Sequence, residues 1–445
     1  MKSKTFKSKK TSKSIDYSLD TLANGIRVLT IEDTSIQSVF VELLFGAGSR
    51  YETKDINGIS HFLEHMFFKG TKKRPTAREI SSILDGIGAD FNAYTSKDHT
   101  GYYIRSSAKH LELNVELLSD MLLSSKFDKD EVEREKGVIV EEMRMYRDDP
   151  SRQVYDLFEE LLYGDKPLGW SIGGPESTIN AMTRENFLDY LKSLYKPNNM
   201  IFVAAGNLTP GVAKKLAQKY FGKMKSVNFK FPEVFVDDQV KPKLSLQYKK
   251  TDQAHIILGF KSFGAKDPDV LPALILSRIL GGGMSSRLFE EVRERRGLAY
   301  RVGANHYEYI DTGAFIVKLG SKVEKVDESL RVILSEIYKI KTELVSSEEL
   351  QRAKDSMEGH TALEMESKRN IASGYGTQLL IEGKIDTIKD ELNKISKITA
   401  EDILRVSKRI FVDDKLNLAI IGPYKDVDRF EKLLKIKRYT KSLGS

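Results

Sequence analysis

An internal duplication constrains this chain more than any other feature. Met182-Thr183-Arg184-Glu185-Asn186-Phe187-Leu188 opens an amphipathic run that reads as a helix ending near Tyr195. A strand, Met200 to Ala205, follows and stops at Gly206. Ile398-Thr399-Ala400-Glu401-Asp402-Ile403-Leu404 opens a second such helix, ending near Phe411, and the strand Leu416 to Ile421 stops at Gly422. Thr183 and Thr399 are 216 residues apart, and so are Gly206 and Gly422. Each Thr is a natural N-cap, its hydroxyl placed to accept an otherwise unpaired N–H of the first turn. The period is too long for a solenoid repeat. Two similar domains of about 210 residues are expected, which a chain of 445 residues accommodates.

The coarse order of elements repeats as well. Strands are expected near 26–31 and 37–45 and again near 244–250 and 254–261. Helices follow, then strand pairs near 90–95 and 100–106, matched by 300–307 and 312–319. Strands and long helices without strict alternation predict an α+β fold, each domain a mostly antiparallel sheet with helices packed on one face. Lys225 to Lys243 mixes charges with Pro232 and Pro242 and shows no helical period. The expected division is therefore a domain over 17–223, a linker over 224–243 and a similar domain over 244–435, with basic tails at 1–16 and 436–445.

Charge narrows the classes of partner. Of the net +7, six come from Lys2, Lys4, Lys7, Lys9, Lys10 and Lys13, which leaves +1 for the rest. A body that close to neutral predicts no nucleic-acid partner. The Lys- and Ser-rich start reads as a disordered tail. It lacks the apolar stretch of a secretory signal and the Arg of a transit peptide. No apolar run approaches the roughly 20 residues that span a bilayer, so no membrane insertion is expected. There is no cysteine, so a metal site would have to use His and carboxylates. The expected location is cytoplasmic.

The chemistry centres on His61-Phe62-Leu63-Glu64-His65. Two His four apart share one helix face, with a carboxylate just before the second. The run from Ile59 to Phe68 is apolar on nearly every side, which predicts a buried helix. Buried His and Glu are costly unless paired or metal-bound. Two readings stand on these residues alone: a zinc pair with its base, or two satisfied core histidines. A catalytic zinc needs a third protein ligand and an open position. The helix expected over Asp128 to Tyr146, with Asp128 and Glu131 as its capping pair, carries Glu135 and Glu142 seven apart on a stripe with Val138, Ile139 and Met145. Glu141 falls on the polar side near Arg134 and Arg144.

With these residues the chain resembles the pitrilysin/insulysin family of zinc peptidases, in the branch of the mitochondrial processing peptidases. The resemblance runs from about Leu19 to Asp428. It implies a clam shell of two similar domains and one Zn²⁺ per chain held by His61, His65 and Glu142, with Glu64 as general base. Glu135 matches an acid that supports the metal site. Asp90-Phe91-Asn92-Ala93-Tyr94-Thr95-Ser96 resembles the substrate-edge strand, with Asn92 and Ala93 beside the peptide. Leu280-Gly281-Gly282-Gly283 resembles the family's glycine-rich loop, and no Gly-Lys-Ser/Thr follows that would make it a phosphate cradle. Arg293 and Tyr300 match the pair with which the second half reaches the substrate. The implied activity is zinc-dependent endoproteolysis of extended peptides or unfolded segments, by a homodimer or a heterodimer with a related chain. Two alternatives compete: a non-catalytic structural or partner subunit of the same fold, and a peptide-binding module with a structural metal.

Overall fold

The computed structural model describes residues 17–226 and 231–438. The tail expected at 1–16, the part of the second tail beyond 438 and residues 227–230 of the expected linker lie outside the described residues. Between 231 and 242 the chain is neither helix nor strand.

Two sheets carry the architecture. The first has the order Ser18–Thr21, Arg27–Glu32, Met200–Gly206, Ser38–Phe45, Thr100–Ser107 and Asp90–Thr95. The second has the order Lys243–Tyr248, Asn417–Gly422, Gln253–Ser262, Gly313–Lys322 and Ala299–Glu308. Apart from the extra edge strand Ser18–Thr21, the two orders correspond strand for strand. Each contains one parallel pair, Arg27–Glu32 with Met200–Gly206 and Lys243–Tyr248 with Asn417–Gly422. The duplicated helices Arg184–Leu194 and Ala400–Ile410 both start at capping boxes. The Thr183 N–H donates to Asn186 Oδ1 at 2.8 Å, and the Thr399 N–H to Asp402 Oδ2 at 3.0 Å.

Each half packs its own helices on one face of its sheet, as expected. In the first half, Val41, Leu43, Tyr102 and Phe202 meet Phe62, Met66, Leu118 and Phe187. In the second, Leu258, Phe260 and Phe315 meet Leu276, Ile333 and Ile403. The opposite faces are covered as well, which the sequence does not announce, because the covering helix comes from the other half. Helix Lys368–Glu382 lays Ile371, Ala372, Tyr375 and Leu379 on Leu29, Phe40, Leu44 and Val203 of the first sheet. Helix Pro150–Tyr163 lays Val154, Phe158 and Leu162 on Ile257, Ile316, Ala419 and Ile421 of the second. Burial of a side chain such as Leu379 or Phe158 contributes about 2 kcal/mol. A glycine permits close approach at each contact. A Cβ on Gly376 would lie 2.6 Å from Leu44 Cδ1, and one on Gly259 would lie 2.7 Å from Phe158 Cζ. Polar contacts also join the halves. Arg50 donates to Asp311 Oδ2 at 2.6 Å, and the Ile310 N–H donates to Asp98 Oδ2 at 2.9 Å.

One buried acid lies under the exchanged helix. Glu42 Oε1 accepts from Tyr94 at 3.0 Å and Ser373 at 3.2 Å, while Oε2 has no partner. Burial pushes its carboxyl from 4.5 up to about 7, against those bonds and the pull of Arg369. A raised folded value means the contribution to stability is full below about 4.5 and is lost as pH rises through about 7. Glu42→Gln, which keeps the neutral shape, should therefore raise the melting temperature at pH 8 by about 2–4 °C and do little at pH 5. Equal effects at both pH values would refute the assignment.

Candidate metal centre

Helix Ile59–Met66 is fixed at both ends. It starts after Gly58, whose φ of 100° is left-handed. The buried Glu52 carboxylate accepts the Gly58 N–H at 2.8 Å, the Ser60 N–H at 2.9 Å and Asn57 Nδ2 at 2.8 Å, and so satisfies N–H groups that the first turn leaves unpaired. Ile59, Phe62, Leu63 and Met66 point into the core. That leaves His61, Glu64 and His65 on the half-open face.

Helix Lys129–Asp148 crosses beside it. Asp128 caps it by accepting the Asp130 N–H at 3.0 Å, whereas Glu131 turns to Arg134 rather than completing a capping pair. Its buried face runs through Val132, Glu135, Lys136, Ile139, Val140 and Met143. Val138 and Met145, expected on that stripe, are 48% and 57% exposed. The face is therefore centred to one side of the expected line, and Glu142 stands at its edge, partly open to solvent. Glu141 faces solvent and pairs with Arg144 at 2.6 Å, as expected.

The two helices bring His61, His65 and Glu142 together, with one ligand atom of each inside a 4.8 Å spread. Glu142 Oε2 is 3.8 Å from His61 Nε2 and 3.5 Å from His65 Nε2. Tetrahedral zinc with bonds of 2.0–2.2 Å sets its ligand atoms about 3.3–3.6 Å apart, so the set fits such an ion with small adjustments. The surroundings fit too. His65 Nδ1 lies 2.8 Å from Glu135 Oε1, a pairing that makes Nδ1 a donor and turns Nε2 toward Glu142, where a metal ion would displace its proton. Glu135 is held in turn by Lys69 at 2.6 Å, and Tyr146 donates to Glu142 Oε1 at 2.8 Å. His61 Nδ1 is buried without a hydrogen-bond partner.

Electrostatics separate the members. Burial and the neighbouring His65 press the His61 pKa down to about 4, so this imidazole is neutral. Burial also opposes charge on His65, but its bonds to Glu135 and Glu142 outweigh that and lift it to about 9. Glu142, bonded to His65, is held down to about 2 and stays ionised. Burial raises Glu64, against a 2.7 Å hydrogen bond that Thr95 Oγ1 donates to its Oε2. That bond leaves Glu64 Oε1 free to exchange a proton.

Asn92 and Ala93 lie on strand Asp90–Thr95, the outermost of the first sheet. Asn92 is exposed, and its Oδ1 accepts the Ala93 N–H at 2.9 Å. Arg293 and Tyr300 are brought together, the guanidinium 5.0 Å from the Tyr300 ring centre. Among the described residues no hydrogen bond or ion pair joins them to the His61–His65–Glu142 cluster. They line a cavity of about 680 Å³ that Asp149 also borders, seven residues beyond Glu142. Sequence reasoning missed Thr95, Tyr146, Lys69 and Glu52. Tyr146 stands four residues after Glu142 on one helix, a spacing at which side chains meet, whereas Lys69 reaches Glu135 from beyond the end of helix Ile59–Met66. Thr95 and Glu52 carry no local signal, since their contacts depend on tertiary structure.

Comparison with known proteins bears on family and fold. The family profile described as "Insulinase (Peptidase family M16)" matches residues 27–176, and the one described as "Peptidase M16 inactive domain" matches 181–357. An uncharacterized zinc protease of Bacillus subtilis is 35% identical, over 91% of this chain and 97% of that protein. One of Streptomyces coelicolor is 33% identical, over 91% and 89%. Among solved structures, a protease from Helicobacter pylori superposes with a TM-score of 0.86 at 24% identity, covering 92% of this chain and all of that one. A peptidase M16 inactive domain from Pseudomonas fluorescens gives 0.86 at 21%, over 92% and 98%. At those identities the two structures show the fold. No described helix is long and apolar enough to cross a membrane.

Proposed function

Because this chain belongs to the insulinase-like M16 peptidase family, we propose that it is a zinc-dependent endopeptidase that hydrolyses extended peptides or unfolded segments. The observation that carries the reading is the convergence of His61, His65 and Glu142 with Glu64 free beside them. His61, His65 and Glu142 would hold one Zn²⁺, and Glu135 orients His65. When bound, the ion supplies Lewis acidity to a substrate carbonyl and lowers the pKa of a water toward about 7. Glu64 would take a proton at Oε1 from the water that attacks the scissile carbonyl and deliver it to the amine nitrogen as the C–N bond breaks, with Thr95 holding its other oxygen. The free edge of strand Asp90–Thr95 offers the peptide backbone a partner by β-augmentation, with Asn92 and Ala93 beside the scissile bond. Arg293 and Tyr300 orient the peptide from the second half.

We infer that two chains associate, each contributing its two similar domains to enclose extended or unfolded substrates. A non-catalytic subunit of the same fold is the competing reading. The profile name "inactive domain" falls on residues 181–357, outside the cluster. Among the described residues the one cluster suited to a metal keeps all three ligands with a base at hand. Metal analysis and cleavage of an unstructured fluorogenic peptide test the proposal. One zinc per chain with chelator-sensitive cleavage is expected, and a zinc-free, inert protein would overturn it. Light scattering on the same sample should give twice the 50.5 kDa of one chain.

A further inference from the structure

Beside the first turns of helix Pro150–Tyr163, the sheet face it covers is open. The result is the cavity of about 680 Å³ that contains Arg293 and Tyr300. His255, Lys318 and Gly320 line it from the sheet. A β-bulge shapes its side. Arg301 pairs with Gly320 and Ala299 with Ser321, so Tyr300 is an extra residue in the ladder. In a regular strand, consecutive side chains point to opposite faces. Arg301, paired with Gly320, shares the sheet face of Lys318 and His255 and borders the cavity beside Tyr300.

The charges in this cavity do not balance. Arg293, Arg301 and Lys318 face a single carboxylate, Asp149. Asp149 is already engaged as a helix cap, accepting the Ser151 N–H at 2.9 Å and its hydroxyl at 2.7 Å, with Arg152 at 3.6 Å. Arg293 lies over the Phe289 ring at 4.7 Å, and among the described residues its one ion partner is its neighbour Glu294, at 3.7 Å. Lys318 lies 5.7 Å from the Tyr155 ring centre. Arg301 makes no ion pair or side-chain hydrogen bond among the described residues. Clustered cations repel one another unless an anion joins them, and a concave wall concentrates their field.

We propose that this cavity is a carboxylate subsite of the peptide cleft, in which Arg301 and Lys318 take an acidic side chain or the terminal carboxylate of the peptide. The proposal rests on the metallopeptidase reading and adds a substrate class to it. Asp149 lies about two helical turns, roughly 10 Å, from Glu142. An extended peptide covers that in about three residues. A residue about three positions from the scissile bond would therefore reach the Asp149 rim of the cavity.

The test is peptide binding to the zinc-loaded full chain carrying Glu64→Gln, read by fluorescence anisotropy. Labelled peptides carry Glu, Gln or Lys three positions to either side of the target bond, each with a free or an amidated C-terminus. A preference of about tenfold for Glu over Gln at one position, weakening with salt, assigns the source to a side chain. A similar loss on amidation assigns it to the terminal carboxylate. Arg301→Ala with Lys318→Ala should bring that ratio close to one, and Arg301→Glu with Lys318→Glu should turn it toward Lys. Melting temperature and zinc content check that each variant is folded. The proposal is overturned if wild-type-pocket affinities differ by less than twofold across the set, or if the preference survives in the double variant. Failure of the unmodified chain to cleave any peptide would instead sink the peptidase reading, and the binding ratio would still be readable.

Discussion

Glu64→Gln should abolish measurable peptide hydrolysis while leaving zinc binding in place. The amide has the shape of the carboxylate and can still accept the Thr95 hydroxyl that lies 2.7 Å from Oε2, so the helix face should not rearrange. What it cannot do is take a proton from water and return it to an amine. Loss of a positioned acid–base group costs about 10²–10⁴-fold in turnover. Because Glu64 stands outside the His61–His65–Glu142 cluster, zinc stoichiometry and chelator resistance should match the wild type. The loss should fall on kcat, with KM nearly unchanged, since the group acts on the reacting atoms rather than on the bound peptide. A variant that kept more than a tenth of the activity would place the base elsewhere.

Glu142→Gln should act on the metal itself. Its carboxylate is the one anionic member of the cluster and lies 3.5 Å and 3.8 Å from the two Nε2 atoms. The amide keeps the size and can keep the Tyr146 bond at Oε1, but it removes the negative charge that offsets the cation. Replacing a residue that only supports a metal ligand costs about 10–100-fold in affinity. Replacing a ligand should cost more than about 100-fold, measured by competition with a chelator of known affinity. Activity should fall with occupancy and return in part when free zinc is raised. Glu64→Gln should show no such recovery, which separates the two roles. Unchanged zinc affinity in Glu142→Gln would remove it from the ligand set.

Much of the fold was legible because its signals are local or periodic. The capping residues Thr183 and Thr399 and the strands that end at Gly206 and Gly422 are set by neighbours in sequence, and their shared offset exposed the duplication. The pairing of His61 with His65 follows from helix geometry. The buried face of helix Lys129–Asp148 is less legible. Val138 and Met145 are apolar and fall on the Glu142 side, yet they stand in the open. Apolar periodicity marks a stripe but does not tell the core from the wall of a cleft. The exchanged helices were illegible for a related reason. An amphipathic face such as Val154, Phe158 and Leu162 shows that something must cover it, and not which sheet does so. Thr95 reaches Glu64 only once the sheet and the helix are packed.

The exchange of helices also sets an order of events during synthesis. When residue 226 has left the ribosome, the first sheet can be fully paired, but the face bearing Leu29, Phe40, Leu44 and Val203 waits for a helix that ends at Glu382. Until then the nascent chain presents a bare apolar surface, while helix Pro150–Tyr163 has no sheet of its own to rest on. Neither half is a finished module. The candidate metal cluster is encoded between His61 and Glu142, yet the sheet behind it is sealed only once Glu382 has been added.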